Sequence, residues 1–378
     1  MIIPNQKALF SIPDDITYLN CANMSPLMTE VERAGMQAIH QRQRPWTITA
    51  DQWFEPAEEL RSLFAGLIGA GKDQVALIPS VSYGIAIAKK NIKLNPSQKI
   101  VVLDQEYPSN IYAWRELSAE SGAAMVTVKR EGDESWTEAV LKAIDTSTGL
   151  VAISNCHWTD GSLVRLDQIS RKVKEVNARL VIDASQSLGA YPLDVARIQP
   201  DFLVTVGYKW LMGPYNLGYL YADPRYLQDG DPIEHSWMVK AGSDDFTRLV
   251  DYTEAYKPGA RRFDAGEFAS FIHIPMATAG LAQITAWGIS SIRETLSGLT
   301  DAIANRAQEL GLTMPAGESR AGHMIGIRFA GDKIDGLRKE LIENKIYISF
   351  RGSSMRIAPH LYNDEQDIER LFEVLKKI

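Results

Sequence analysis

Residues 181–221 read VIDASQSLGAYPLDVARIQPDFLVTVGYKWLMGPYNLGYLY. Two apolar, β-branched runs organise this stretch. Leu180-Val181-Ile182 ends in Asp183, Ser185 and Gln186, and Phe202-Leu203-Val204-Thr205-Val206 ends in Gly207, Tyr208 and Lys209. Short apolar runs bounded by polar turn residues predict buried strands. If the two are neighbours in a mostly parallel sheet, a carboxylate and an amine meet at its carboxyl edge, where α/β folds bind ligands.

A lysine to form a Schiff base and an acid to keep a ring nitrogen protonated are what pyridoxal phosphate requires. The run D-A-S-Q-S-L-G, followed by G-Y-K-W-L-M-G-P and a glycine-containing strand, resembles the class V aminotransferases. These are fold-type I pyridoxal-phosphate enzymes that include cysteine desulfurases, kynureninases and epimerase-like enzymes. Asp183 and Lys209 lie 209 − 183 = 26 residues apart, as in that family. The resemblance implies an α/β fold: a large domain with a mostly parallel sheet and a small C-terminal α/β domain. The expected division is an N-terminal arm over 1–26, the cofactor domain over 27–274, and a connecting helix with the small domain over 275–378.

Composition fits an enzyme of this size. The chain has 378 residues, 45% of them hydrophobic, enough for a sizeable core and two domains. A net charge of −7 without a basic run argues against a nucleic-acid platform. The two cysteines, Cys21 and Cys156, form no CxxC pair, and the six histidines lack metal-ligand spacing, so neither a disulfide framework nor a metal site is expected. No run approaches the length of a membrane span and the first residues lack a signal pattern, which predicts a soluble, cytoplasmic protein.

Along the chain, Thr29 is expected to cap a helix through about Gln43, with Val31, Ala34, Ala38 and Ile39 inward. Gly66-Leu67-Ile68-Gly69-Ala70-Gly71-Lys72 matches a nucleotide P-loop up to the lysine. Asp73 then replaces the required hydroxyl residue, and the run follows a helix, so these glycines predict a helix C-cap and turn. Ser80-Val81-Ser82-Tyr83-Gly84 turns from a strand into a helix, an arrangement that presents free N–H groups to an anion. The resemblance makes Val81 and Ser82 the phosphate contacts and sets Tyr107, after the strand Ile100–Leu103, over the cofactor ring. Ser109 is expected to cap the helix that follows. After the strand Leu150–Ser154, either His157 or Trp158 could flank the ring.

By the same resemblance, Asp183 pairs with the pyridinium nitrogen and Gln186 donates to the ring's phenolic oxygen. Lys209 holds the cofactor and shuttles the α-proton, and Tyr208 takes the place of a common histidine and reaches towards the phosphate. Gly213 and Gly218 are expected to permit tight turns. Arg261-Arg262-Phe263-Asp264-Ala265-Gly266-Glu267 resembles a segment that in relatives reaches the partner subunit's phosphate, with Glu267 where threonine is frequent and Ser270 or backbone N–H groups as substitutes; a homodimer follows by resemblance. Met355-Arg356-Ile357-Ala358-Pro359 resembles the small-domain signature whose arginine, here Arg356, grips the substrate carboxylate. Phe350–Met355 lacks the cysteine that desulfurases use to accept sulfur. The leading expectation is amino-group transfer on an α-amino acid. A β-eliminating lyase or epimerase comes next, and a non-catalytic binding or scaffold protein is the alternative of another class.

Overall fold

The computed structural model describes residues 1–329 and 334–377. Seven strands form the central sheet: β1 (Val75–Ile78), β2 (Lys99–Leu103), β3 (Ala124–Val128), β4 (Thr148–Ser154), β5 (Arg179–Asp183), β6 (Phe202–Val206) and β7 (Gly218–Ala222). Their spatial order is β3-β2-β4-β5-β6-β7-β1, and only β7 runs against the rest. The two runs that opened the sequence reading are β5 and β6, and they pair in parallel with Asp183 opposite Val204.

Strand residues alternate faces, and the core divides by that rule. Val101, Ile153, Ile182 and Leu203 pack on one face, while Val102, Ala152, Val181 and Val204 pack on the other. Helix α1 (Thr29–Arg42), α2 (Glu55–Ile68), α3 (Val81–Asn91), α4 (Tyr112–Ser121), α5 (Trp136–Ala143) and α6 (Leu166–Glu175) cover the two faces. Phe64 and Ile169 join the first cluster, Ile85 and Trp114 the second. A sheet covered on both faces explains why its central strands are apolar throughout.

Several local readings need correction. Thr29 is the first residue of α1, and Met28 occupies the cap position without a side-chain bond. The helix buries Val31, Gly35 and Ala38, whereas Ile39 is exposed, because the contact stripe follows i, i+4, i+7. Ser109 lies in a short 3₁₀ turn, and α4 starts after Ile111. Gly69 does end α2 in the left-handed conformation, φ 69°, its N–H bonding to Ala65.

Helices α7 (His273–Trp287) and α8 (Ile289–Glu309) meet at Gly288, φ 76°. The first half of α8 contributes Ile292 and Leu296 to the main core. Its second half contributes Ile303 and Ala307 to a separate cluster. That cluster belongs to an antiparallel sheet of β8 (Ile325–Arg328), β9 (Ser349–Arg351) and β10 (Ser354–Ile357), in the order β9-β10-β8, with α9 (Ile334–Glu343) and α10 (Glu365–Leu375). The apolar run Ile346-Tyr347-Ile348-Ser349-Phe350 does not form one strand. Ile346–Tyr347 pairs instead with Thr17–Tyr18 of the N-terminal segment, which also gives Leu19 to this core. Thr17 Oγ1 donates to Asp367 at 2.8 Å on the same side. Among the described residues, no helix is long and apolar enough to cross a membrane.

Candidate active site

The loops after β1, β2, β4, β5 and β6 all leave the same edge of the sheet and enclose a cavity of about 230 Å³. Val81, Ser82, Tyr107, Trp158, Asp183, Gln186, Tyr208 and Lys209 all line it. Residues spread over 129 positions (209 − 81 + 1) converge because five parallel strands end at one edge.

Asp183, the last residue of β5, is 4% exposed and accepts the Ser185 N–H at 2.9 Å. Burial raises its pKa, opposed by the neighbouring Ser185 and by the Lys209 charge. Lys209 is 8% exposed. Burial pulls its amine down to about 8; the Asp183 charge opposes this, and Arg356 and Arg351 add to it. The amine lies 5.6 Å from the Tyr107 ring centre and 5.7 Å from that of Tyr208.

The turn carrying Lys209 is held by close backbone approach. A Cβ on Gly189 would fall 2.2 Å from the Trp210 carbonyl oxygen, and Gly189 has φ +104°. Neither Gly213 nor Gly218, where tight turns were expected, takes a left-handed φ. Met212 and Asn216 do, with φ 54° and 64°. Gly218 serves packing instead, since a Cβ there would meet the Thr205 carbonyl oxygen at 2.5 Å.

Tyr107 and Trp158 stand edge to face, 5.5 Å between ring centres and 77° apart. Trp158 Nε1 donates to the Gln105 carbonyl at 2.6 Å, which fixes the indole at the rim. His157 turns the other way. It is buried against Trp136, 4.9 Å centre to centre, with its ring nitrogens on Thr159 Oγ1 and the Asp104 carbonyl. Of the two aromatic residues left open by sequence, Trp158 is the one at the cavity. Gln186 is more tightly held than expected. Its oxygen accepts from Trp210 Nε1 at 3.1 Å and its nitrogen donates to the Ala22 carbonyl at 3.0 Å, leaving one further N–H.

Ser80 caps α3 by accepting the Tyr83 N–H at 3.2 Å. The N–H groups of Val81 and Ser82 therefore begin a helix with the positive end of its dipole at the cavity. Two buried hydroxyls at or beside the wall, Ser154 Oγ and Ser185 Oγ, have no partner. Buried polar atoms are normally satisfied, so these mark a place built for another group. Arg356 is 1% exposed. Its Nε donates to Ser349 Oγ at 3.0 Å and its Nη1 to the Trp158 carbonyl at 2.8 Å, while Nη2 is unpartnered.

Sequence reading missed Glu106. Its carboxylate accepts the Tyr107 N–H at 2.8 Å and the Ser154 N–H at 2.9 Å, tying the ends of β2 and β4 together. Burial, with Asp183 nearby, raises it to about 7. The acid at a strand end was visible in Gln105-Glu106-Tyr107, but not the strand it would bridge. Asp264 was also missed as an anchor. It forms a buried pair with Arg61, Nη1 to Oδ1 2.9 Å, and accepts the Leu77 N–H at 2.8 Å. Cys21 and Cys156 are both free and buried, and burial drives both thiols well above their ordinary range. Among the described residues there is no cluster of three or more potential metal ligands.

Comparison with known proteins agrees with this architecture. The chain is 26% identical over 378 residues to "Uncharacterized aminotransferase YcbU" of Bacillus subtilis strain 168, covering 98% of this chain and 97% of that protein. Its fold superposes on the apo cysteine desulfurase of Thermococcus onnurineus NA1 with a TM-score of 0.86 at 18% identity, covering 100% and 99% of the two chains. A mutant of C-DES with glycine covalently linked to its PLP cofactor gives a TM-score of 0.86 at 17% identity, covering 98% of each. At these identities the structural likenesses speak for the fold alone. The family profile "Aminotransferase class-V" matches residues 43–371, so the chain belongs to the class-V aminotransferase family.

Proposed function

We propose that this protein, a member of a pyridoxal-phosphate-dependent family, is an aminotransferase acting on an α-amino acid. The observation that carries this reading is the shared cavity of Asp183, Lys209 and Tyr107, with the partly unpartnered Arg356 beside it. The residues fit the cofactor: unpartnered serine hydroxyls, a helix N-terminus, a buried acid and a buried amine border one cavity of modest volume. When bound, pyridoxal phosphate supplies an aldehyde for amine capture and an electron sink for charge at the substrate α-carbon.

In this reading Lys209 Nζ is the attachment point, and its lowered pKa provides the free amine that attachment needs. Once released, the same amine removes and returns the α-proton. Asp183 would face the ring nitrogen, and a cation there would offset the cost of keeping its carboxylate ionised in a buried place. The N–H groups of Val81 and Ser82 receive the phosphate, assisted by the Tyr208 hydroxyl. Tyr107 would lie against the ring, Trp158 closes the rim, and Gln186 would offer its remaining N–H to the ring oxygen. Arg356 receives the substrate carboxylate, for which a planar fork of donors is suited.

Desulfuration through a protein persulfide is disfavoured. Phe350–Met355 contains no cysteine, and both thiols are buried. A homodimer in the cytoplasm completes the proposal. The support for a second copy is a half-exposed aromatic group beside the cavity, where Trp53 stands 5.1 Å from Phe271 and 6.2 Å from Trp237. This group and Glu267 and Ser270 border one groove that adjoins the cavity at Pro79 and Asn216.

The test is the visible spectrum of the purified protein through a panel of amino acids with product analysis. Conversion of the bound cofactor to its amine form, reversed by a 2-oxo acid, is the expected result. Ammonia and a 2-oxo acid formed with the cofactor unchanged would reassign the protein as a lyase. A protein that takes up no cofactor would return it to a binding or scaffold role.

A further inference from the structure

Strand β9 turns into β10 through Gly352 and Ser353, with Gly352 at φ 57°. The register pairs Ser349 with Arg356, Phe350 with Met355, and Arg351 with Ser354. Side chains alternate along each strand, so Arg351 and Arg356 share one face of this hairpin while Phe350 and Met355 take the other. Met355 is fully buried in the small-domain core, which fixes the opposite face towards the large domain.

Both guanidinium groups converge on Trp158, the aromatic rim of the cavity. Arg356 Nη1 donates to its carbonyl at 2.8 Å, and the Arg351 Cζ lies over its ring at 5.4 Å from the centre. Arg351 is half-buried and is held by Asn23 Oδ1 at 3.2 Å and by the Phe350 carbonyl at 2.8 Å. Among the described residues neither arginine has a carboxylate within 4.0 Å. Arg351 lowers the pKa of Arg356, and each lowers that of Lys209, so the three cations act on one region.

One α-carboxylate needs one guanidinium fork, and Arg356 supplies it under the proposed function. The second cation then has no counter-charge in a place where burial penalises it. From this pairing we infer that Arg351 is a specificity-determining residue, and that the substrate is an α-amino acid whose side chain carries a second anionic group. The inference rests on the proposed function. Its chemistry is direct charge-assisted hydrogen bonding from a guanidinium to a carboxylate, sulfinate or phosphate. A neutral side chain would leave that guanidinium without a counter-charge and bind less well.

The experiment titrates the pyridoxal-phosphate-loaded enzyme, read by its visible band, with three pairs: aspartate and asparagine, glutamate and glutamine, phosphoserine and serine. At least one acidic member should bind on the order of ten- to a hundred-fold more tightly than its neutral counterpart. Arg351→Gln should collapse that ratio towards one, acting through KM rather than kcat, and Arg351→Lys should restore part of it. Thermal unfolding of both variants checks that the hairpin remains folded. Equal affinity within all three pairs, or a ratio that Arg351→Gln leaves intact, would overturn the inference while leaving the proposed function standing. A protein that takes up no pyridoxal phosphate would overturn both.

Discussion

The Nη1 of Arg356 donates to the carbonyl oxygen of Trp158 at 2.8 Å, bridging the small-domain sheet and the loop after β4. The bond holds the arginine rigid and leaves Nη2 free. A preorganised donor loses less freedom on binding than a mobile one. It also makes the cavity rim depend on both domains, so under the proposed function their relative placement decides whether the substrate carboxylate can be gripped.

Replacing Arg356 should therefore act mainly on substrate binding. Arg356→Gln keeps some polarity but loses the charge and the fork. Its KM for an amino acid should rise by on the order of ten- to a hundred-fold, with a smaller fall in kcat. Steady-state kinetics measure the split. A loss confined to kcat would remove Arg356 from the binding role.

Capture of pyridoxal phosphate by the apo-protein should report the Lys209 environment. Only the unprotonated amine attacks an aldehyde, and burial lowers the pKa of Lys209 to about 8. The protonated fraction falls as pH rises through that value, so the capture rate should climb between about pH 7 and 9 and then level off. Stopped-flow absorbance follows it. A climb continuing towards the usual lysine value would place the amine in water. Lys209→Ala should abolish both the covalent visible band and turnover.

The buried pair between Arg61 and Asp264 ties α2 to the segment that carries the Leu77 N–H contact. Arg61→Met should destabilise the fold by about 3–5 kcal/mol, because it strands a buried carboxylate. Chemical denaturation is the measurement. Wild-type stability in the variant would mean that Asp264 takes up a proton or reaches water without penalty.

Gly189 sits against the carbonyl of Trp210, next to Lys209. Gly189→Ala combines a left-handed φ with a 2.2 Å clash, so the turn has to shift. The expected result is a loss of stability of at least about 1–3 kcal/mol and slower cofactor capture, since the lysine moves with the turn. Unaltered capture kinetics would show that the Trp210 backbone yields without moving Lys209.

The thread from sequence to structure is clearest at Asp183 and Lys209. Their strands, their polar ends and their spacing were legible because a buried parallel strand is a local run of apolar residues followed by a local change of composition. The same was true of the turn into a helix at Ser80–Gly84 and of the Gly69 helix end. Arg356 was legible only through the flanking pattern it shares with a known family.

Other features were set by contacts between segments far apart in the chain. Glu106 looks like any loop acid until β4 is placed beside β2 and brings it the Ser154 N–H. Asp264 gains its meaning only from Arg61, 203 residues away, and from the Leu77 N–H, 187 residues away. The choice of Trp158 over His157 depended on which neighbour could satisfy an imidazole, and the core supplied Thr159 and the Asp104 carbonyl. The shared face of Arg351 and Arg356 depended on hairpin register. By itself the sequence determined the strands, the apolar faces and the chemistry waiting at the strand ends, because periodicity and turn residues act over short range. Only the tertiary structure decided which of those groups share a cavity and which are consumed by the core, because burial, hydrogen-bond partners and charge balance are properties of neighbours in space.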